Sequence, residues 1–239
     1  MDINSELSYL AMSLGLHKFG CAPVSAYSKA PVGHRPGDIL PGAKSVVTFT
    51  YRLNNGAVEN LPGTRNQYML EFTAANQILV QAAHKMARFF EDRGYKSIGI
   101  GPEADIGDYA RLKGDFSHKH SAVICGLGAF GINNILLTEK AGPRVRLSSV
   151  ITTASLYYND AVTESNCIAC GECVSSCPSG ALSGWEGNYS PQTGWVIDKE
   201  RCAHYMFVAN AGKRCGMCVA VCPVKSSDVR HQDIPTSDA

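Results

Sequence analysis

The sequence predicts an α+β protein in which a mixed α/β domain is followed by a small cysteine-rich module. Strand-like and helix-like segments are interspersed through the first part of the chain, whereas eight of the ten cysteines fall between Cys167 and Cys222. Around these cysteines the regular apolar periodicity is lost. We therefore predict an α/β domain over residues 1–158, the module over 159–225 and a polar tail over 226–239.

Apolar residues at helical spacing predict two helices in the first domain. One covers Asn4 to Leu16. A longer one follows the capping-box pattern Thr64-x-x-Gln67 and ends before Gly94, a residue type that is common just after helices. Its apolar face would consist of Tyr68, Phe72, Ala75, Leu79, Ala82, Met86 and Phe89.

Runs rich in β-branched residues predict the strands. The clearest is Lys44 to Arg52, which follows the turn-forming segment LPGA. Two others are Lys96 to Gly101 and Val145 to Ala154, and Gly20 to Ala26 is a shorter candidate. Strands interspersed with helices in this way favour a mixed α/β domain.

The composition favours neither a nucleic-acid nor a membrane partner. The 22 basic and 21 acidic residues nearly cancel, which leaves a formal net charge of +1. The first residues lack the basic and apolar stretches of an export signal. The longest apolar run, Ser121 to Leu137, is interrupted by glycines and asparagines and is expected to be a core segment. We predict a cytoplasmic protein.

The first cysteine motif has the spacing of an iron–sulfur site. It reads Cys167-x2-Cys170-x2-Cys173-x3-Cys177-Pro178. In bacterial ferredoxins the first three cysteines of this pattern bind one [4Fe–4S] cluster, and the fourth binds a second cluster. Three thiolates in one tight loop can reach different irons of a cubane, and the remaining corner needs a ligand from elsewhere.

A second motif, Cys202-x12-Cys215-x2-Cys218-x3-Cys222-Pro223, repeats this ending with its first cysteine moved outward. We predict a bacterial-ferredoxin-like module with two [4Fe–4S] clusters. Structural zinc more often uses two separated CxxC pairs, and disulfides conflict with a reducing compartment. One cluster would be bound by Cys167, Cys170, Cys173 and Cys222, and the other by Cys177, Cys202, Cys215 and Cys218. Cys21 and Cys125 lie outside the module and are expected to be buried apolar residues.

The segment CGLGAFGINN contains the pattern Gly126-x-Gly128-x-x-Gly131, which also occurs in dinucleotide-binding proteins. That fold requires a strand before the glycines, a helix after them and an acidic residue about 20 positions later. SAVIC could be the strand, but the following run is too short for the usual helix and LSSVITTA contains no carboxylate. The pattern therefore favours either a crowded glycine turn or a close approach to a different ligand.

Three segments together resemble the catalytic core of epoxyqueuosine reductases and reductive dehalogenases. They are RPGDILPGAKSVVTFTYR, SHKHSAVICGLGAFGINNILLTEKAGPRVRLSSVITT and CIACGECVSSCPSGAL, within about Gly33 to Pro223. The resemblance implies a nitroreductase-like α/β domain that binds a corrinoid (cobalamin) close to the glycine-rich segment. The implied cofactor contacts are Gly126, Gly128, Gly131 and Asn133.

A corrinoid-dependent reduction also needs a proton source and polar contacts to the cofactor. Tyr109 and Asp115 are the leading candidates for the proton donor. His118 and His120 would point to the same side of an extended segment, where they could contact the corrinoid or approach its metal.

These observations predict an iron–sulfur oxidoreductase that passes single electrons through two clusters to a corrinoid in the α/β domain. It would reduce a small substrate or supply reduced corrinoid to a partner, with electrons from a low-potential ferredoxin or flavodoxin. The tRNA-binding repeats of epoxyqueuosine reductases are not found after Cys222, so no nucleic-acid partner is expected. The alternatives are a ferredoxin-type electron carrier with a partner-docking domain and a flavin or nicotinamide reductase.

Overall fold

The computed structural model describes residues 2–102, 112 and 114–224. The candidate Tyr109 and the predicted tail over 226–239 lie outside this range. Helices α1 to α8 span Ile3–Ser13, Pro36–Ile39, Asn55–Glu59, Arg65–Glu91, His118–Ile124, Glu172–Ser175, Lys199–His204 and Met217–Ala220. Strands β1 to β6 span Lys18–Pro23, Ser45–Arg52, Ser97–Ile100, Ala129–Phe130, Leu136–Leu137 and Val145–Thr152. A short 3-10 helix covers Val24–Tyr27, and a π-helical turn covers Tyr205–Ala209.

The centre of the protein is a four-stranded antiparallel sheet with the strand order β1-β2-β6-β3. The two long strands lie in the middle and pair along their whole length, for example Val47 with Val150. Both faces of these strands are covered, so β2 is buried continuously from Ser45 to Thr50 rather than at alternate positions. A separate two-stranded ribbon, β4–β5, begins within the glycine-rich segment.

The long helix α4 and helix α1 cover one face of the sheet. Leu79, Met86 and Phe90 of α4 pack with Phe49 of the sheet and Leu7 of α1. The predicted apolar face of α4 is confirmed except at its end. There Phe90 is fully buried, while the half-buried ring of Phe89 lies under the guanidinium of Arg93 at 3.7 Å.

Two local predictions for α4 have different outcomes. Gly94 adopts a positive φ of 81°, as a glycine after a helix is expected to do. The predicted capping box is wrong, because the Thr64 hydroxyl donates to the carbonyl of Ala57 at 3.1 Å instead of accepting from the first turn. The preceding helix α3 offers an acceptor that the sequence pattern does not reveal.

Helix α5 and the β4–β5 ribbon cover the other face of the sheet, where Ala122, Val123 and Phe130 pack with Val46 and Ile151. The strand considered for SAVIC is therefore wrong, because this segment forms the end of α5 and the turn after it. A short buried apolar run does not distinguish helix from strand. The extended segment that would place His118 and His120 on the same side is also wrong, because both residues lie in α5.

The cysteine-rich residues pack directly against the α/β domain. Val219 of α8 lies in a cluster with Leu53, Val58, Tyr68 and Phe72, which come from α3, α4 and the end of β2. A second cluster joins Ile132 of the glycine-rich segment to residues of the module, namely Cys173 and Leu182, with Trp185, Tyr189 and Trp195 packed around them.

The connection between the two regions is held at the edge of the sheet. Asn159 pairs with Cys21 of β1 through its backbone N–H and its side-chain oxygen, at 2.9 and 2.8 Å. The exact domain boundaries stay a prediction. Within the described ranges, no helix has both the length and the apolar character needed to span a bilayer.

Candidate functional site

The eight clustered cysteines form two groups in space. The first group lines one small pocket together with Ile132 and Leu137, and its members are Cys167, Cys170, Cys173 and Cys222. Burial raises the pKa of Cys173 to about 11, and the neighbouring thiols of the other three members add to the rise. The structure therefore brings together three cysteines of the first motif and the last cysteine of the second.

The second group contains the other four cysteines. Burial raises the pKa of Cys202, and the thiols of Cys177 and Cys215 raise it further. Cys218 is more deeply buried, and after burial the largest contributions to its raised pKa come from Cys215, Cys202 and Cys177. The two motifs thus exchange their last cysteines, in the same pairing that the ferredoxin pattern predicts.

A left-handed glycine shapes the turn between two ligand positions in each group. Gly171 lies between Cys170 and the start of α6 with φ = 80°, and Gly216 lies between Cys215 and the start of α8 with φ = 71°. Residues with a Cβ rarely adopt this conformation. Each glycine turns the chain directly into a short helix that carries the next cysteine of its group.

Burial raises the pKa of four of these thiols, Cys173, Cys202, Cys218 and Cys222, and so favours their neutral form. Cys177 differs, because hydrogen bonds from Ser179 and nearby backbone groups lower its pKa although burial alone would raise it. Binding of a cationic iron centre would therefore have to displace protons from these four thiols. Among the described residues, no three histidine, cysteine, aspartate or glutamate side chains come together as ligands of a single ion.

The glycine segment, residues 126–134, is the surface on which the cysteine module lies. The backbone N–H of Ile132 donates to the sulfur of Cys167 at 3.5 Å. The side-chain amide of Asn133 donates to the carbonyl of Cys218 at 3.2 Å. In the other direction, the Trp195 indole donates to the Ile132 carbonyl at 2.9 Å. Both groups of cysteines are thereby connected to one short stretch of the α/β domain.

The three glycines of this segment have no room for a side chain. A Cβ on Gly128 would lie 2.2 Å from the Leu137 carbonyl oxygen, and one on Gly126 would lie 2.6 Å from that of Asp160. At Gly131 the nearest atom is the side-chain oxygen of Asn133, at 2.8 Å. The predicted cofactor contacts at Gly126, Gly128, Gly131 and Asn133 are thus positions where protein packs on protein, and a role toward a cofactor stays a prediction.

A cavity of about 420 Å³ lies between the α/β domain and the module. This volume is within the range of roughly 300–1,000 Å³ that is usual for small-molecule sites. Cys218 of the second group is part of its wall. Most of the lining is apolar: Leu53, Pro102, Phe116, Ile135, Leu136, Pro143, Val145, Leu147 and Val219.

Three polar side chains in the cavity wall were not identified as functional from the sequence. Burial raises the pKa of Tyr68 to about 12, partly offset by Arg146, and its hydroxyl makes no hydrogen bond within the described part of the chain. Lys119 donates to the Asn134 carbonyl at 2.8 Å, and burial lowers its pKa against the opposing effect of the Cys218 thiolate. Arg146 binds the Asn76 side chain at 3.0 Å.

The sequence offered only weak signals for these residues. Tyr68 is one more position on the predicted apolar face of α4, although its hydroxyl makes it the polar exception there. Lys119 stands between His118 and His120, and Arg146 is the second residue of a predicted strand. Their common feature is a location around one cavity, which depends on contacts between distant segments.

His118 also lines the cavity, but both of its ring nitrogens are occupied. One bonds to the Ser149 hydroxyl at 2.9 Å and the other to the Gly101 carbonyl at 2.7 Å. Burial lowers its pKa to about 4, so the ring is neutral near pH 7. In this arrangement neither nitrogen is free to coordinate a metal.

Two other candidates, His120 and Asp115, are not part of the cavity wall. His120 is exposed and bonds to the Ser117 hydroxyl and the Thr193 carbonyl, at 2.6 and 3.2 Å. Asp115 is also exposed, and its backbone carbonyl is bonded to a ring nitrogen of His34 at 2.9 Å. Neither residue is part of the cavity wall, whereas Tyr109 lies outside the described residues. The roles predicted for these three residues stay predictions.

Comparison with known proteins supports the assignment of the module. Residues 166–226 match the family described as 4Fe-4S dicluster domain. The chain is 28% identical over 254 aligned residues to a tetrachloroethene reductive dehalogenase of Desulfitobacterium hafniense, which covers 97% of this chain and 42% of that enzyme. It is 24% identical to an epoxyqueuosine reductase of Aliivibrio fischeri, over 74% of this chain and 45% of that protein. The chain thus spans less than half the length of either relative.

Solved structures show the same fold. A reductive dehalogenase studied for B12-dependent dehalogenation has a TM-score of 0.71 at 20% identity and covers 93% of this chain and 31% of its own. An epoxyqueuosine reductase bound to a tRNA stem loop has a TM-score of 0.65 at 20% identity, with coverage of 93% and 65%. The predicted resemblance and the predicted fold class, a mixed α/β domain followed by a 4Fe–4S dicluster domain, are confirmed.

We expect Gly128→Ala to strain the β4–β5 ribbon that carries the glycine segment, because its Cβ would overlap the Leu137 carbonyl of β5. Strain of this kind typically costs about 1–3 kcal/mol. The measurement is the unfolding midpoint, together with iron retention, of the anaerobically prepared protein. Gly56→Ala in α3, where a Cβ meets nothing within 4 Å, is the matched control. Equal midpoints for the two variants would contradict this packing role.

Proposed function

We propose that this chain is an iron–sulfur reductase that delivers electrons, one at a time, to the cavity between its α/β domain and its cysteine module. The observation that supports this most directly is the position of Cys218. The same residue belongs to the second group of cysteines and forms part of the wall of a cavity with the volume of a small-molecule site. A cluster bound there would lie next to whatever occupies the cavity.

The two groups of cysteines are proposed to bind one [4Fe–4S] cluster each. The pattern of the motifs, their pairing in space and the match to a dicluster domain all support this. Each group has three cysteines from one motif and one from the other. The exchanged cysteines would therefore keep the two clusters close together, so that electrons could pass from one cluster to the other.

Anaerobic reconstitution is expected to yield about eight irons and eight sulfides per chain. Cys218→Ala should lower the iron content to about four per chain, because one corner of the second cluster loses its ligand. Cys125→Ala is the control, since this buried cysteine lies outside both groups. Zinc in place of iron, or an iron content unaffected by Cys218→Ala, would exclude the proposed assignment.

We further propose that the cavity takes up a corrinoid together with a small substrate. The relatives support this, and so do the residues present, because apolar walls with a few polar groups suit a large flat macrocycle. When bound, a corrinoid would supply a cobalt centre that accepts electrons and reduces an organic substrate. His118 would hold α5 against β6 and the end of β3, through its bonds to Ser149 and Gly101, rather than coordinate the metal.

The reaction class we favour is the reductive replacement of a substituent on a small molecule. Two electrons and one proton convert R–X into R–H and X⁻, so the site needs an electron source and a proton source. The electrons would come from an external donor of the low-potential ferredoxin or flavodoxin type. Delivery of reduced corrinoid to a partner protein is the variant of this proposal that requires no substrate in the cavity. Location in the cytoplasm, without nucleic-acid or membrane partners, stays part of the proposal.

Titration of the anaerobic protein with cobalamin should change the corrinoid absorption spectrum. The change should saturate at about one equivalent of cobalamin per chain, as expected for one site. Leu147→Trp, which would fill the cavity, should weaken this binding while the clusters are retained. Val32→Trp on the exposed surface is the control. Two intact clusters without any corrinoid binding would instead favour an electron carrier, and flavin released on denaturation would favour a flavin reductase.

Tyr68 is the proton donor that the cavity offers most directly. Its raised pKa, about 12, keeps the hydroxyl protonated near neutral pH, and the hydroxyl has no competing partner within the described part of the chain. Positioned proton donors typically contribute about 10²–10⁴ in rate. We expect Tyr68→Phe to lower turnover by at least about 10² while cobalamin affinity and iron content stay unchanged.

The measurement for Tyr68→Phe is reduction of a halogenated substrate with a chemical reductant, followed by solvent-deuterium incorporation into the product. Tyr51→Phe on β2, which is not part of the cavity wall, is the control. Unchanged turnover in Tyr68→Phe would assign the proton to another group or to water.

A further inference from the structure

Arg144 has an unusual environment in the structure. It follows the tight turn formed by Thr138 and Gly142 and precedes β6, and its side chain is only 3% exposed. Its Nη1 atom binds the side-chain oxygens of Asn55 and Glu59 in α3, at 2.8 and 2.7 Å. Its Nε and Nη2 atoms are buried and have no hydrogen-bond partner among the residues that the structure describes.

The two unpartnered nitrogens belong to the same edge of the guanidinium group. The Nε–H bond and one Nη2–H bond are parallel in this planar group, which is the geometry that binds anions through two hydrogen bonds. A buried donor without an acceptor is destabilising, and more so when it is charged. An acceptor with negative charge is therefore expected at this edge of Arg144.

Arg144 lies beside the first group of cysteines. Helix α3, which holds its Nη1 atom, packs against α8, and Cys222 follows two residues after α8. Leu137, directly before the turn that leads to Arg144, lines the same pocket as Cys222.

We propose that the Nε–H and Nη2–H groups of Arg144 donate hydrogen bonds to sulfur atoms of the cluster bound by Cys167, Cys170, Cys173 and Cys222, and thereby raise its reduction potential. This inference rests on the proposed function, because it requires the first cluster. Reduction adds one electron to the cluster, and nearby positive charge and hydrogen bonds to sulfur stabilise the more negative state.

Another source of negative charge fits the structure less well. A phosphate or carboxylate of a ligand in the cavity would have to reach the guanidinium, but Arg144 does not line the cavity, although Pro143 and Val145 on either side of it do. On the other side of the guanidinium, Nη1 is already bonded to Asn55 and Glu59 of α3. Arg144 is therefore assigned as a positioning residue that tunes one cluster, and not as a residue that touches substrate.

The test is an EPR-monitored redox titration of the anaerobically reconstituted protein. Arg144→Gln should lower one of the two cluster potentials by an amount equal to at least a tenfold change in the one-electron equilibrium, which is about 59 mV. Arg144→Lys keeps the charge but loses the paired donors, so it should lower the same potential by less. Glu59→Gln removes a negative charge next to Arg144 and should shift that potential slightly upward.

Arg88→Gln is the matched control, because Arg88 is an exposed arginine on α4 that pairs with Asp92. Two cluster signals with unchanged potentials in both Arg144 variants would overturn this inference and leave the proposed function intact. Stability of the wild-type protein that rises with added inorganic phosphate, and no longer does so in Arg144→Lys, would also overturn it. Failure of the wild-type protein to bind two clusters would instead refute the proposed function. If Arg144→Gln does not fold, the opposite shifts of Arg144→Lys and Glu59→Gln decide the question.

Discussion

The close approach between the glycine segment and the cysteine module is the contact on which the rest of the structure depends. Gly194 of the module comes so near to the segment that a Cβ on it would overlap the side-chain oxygen of Asn134 and the ring of Phe130. This proximity lets the neighbouring residues Ile132 and Asn133 bind Cys167 and Cys218 directly. Both groups of cysteines are therefore held at defined positions relative to the sheet.

The position of the module creates an asymmetry between the two groups of cysteines. Cys170 of the first group is exposed, whereas Cys218 of the second group is part of the cavity wall. With the proposed clusters in place, the two groups would connect the surface of the protein with the cavity. Burial raises the pKa of Tyr68 in the same wall, so this group retains its proton near neutral pH.

Each group of cysteines has a buried cation beside it. Arg144 lies near Cys222, and Lys119 lies near Cys218 and Cys202. Thiolates and a reduced cluster concentrate negative charge in a region of low dielectric, where an uncompensated charge is costly. These two cations come from the α/β domain, so this domain supplies charge compensation for the module as well as a surface for it.

The sequence by itself determined the pairing of the eight cysteines into two groups and the main elements of the sheet domain. The spacing of Cys167, Cys170 and Cys173 is a local property of the chain, and so is the apolar periodicity of α4, which is why both could be inferred without a structure. Tertiary structure decided the helical form of SAVIC, the packing role of the glycines and the positions of Tyr68, Lys119 and Arg144 around the thiols and the cavity. These features depend on contacts between segments that are far apart in the chain, and residue patterns within one segment do not encode which distant atoms will occupy the space beside them.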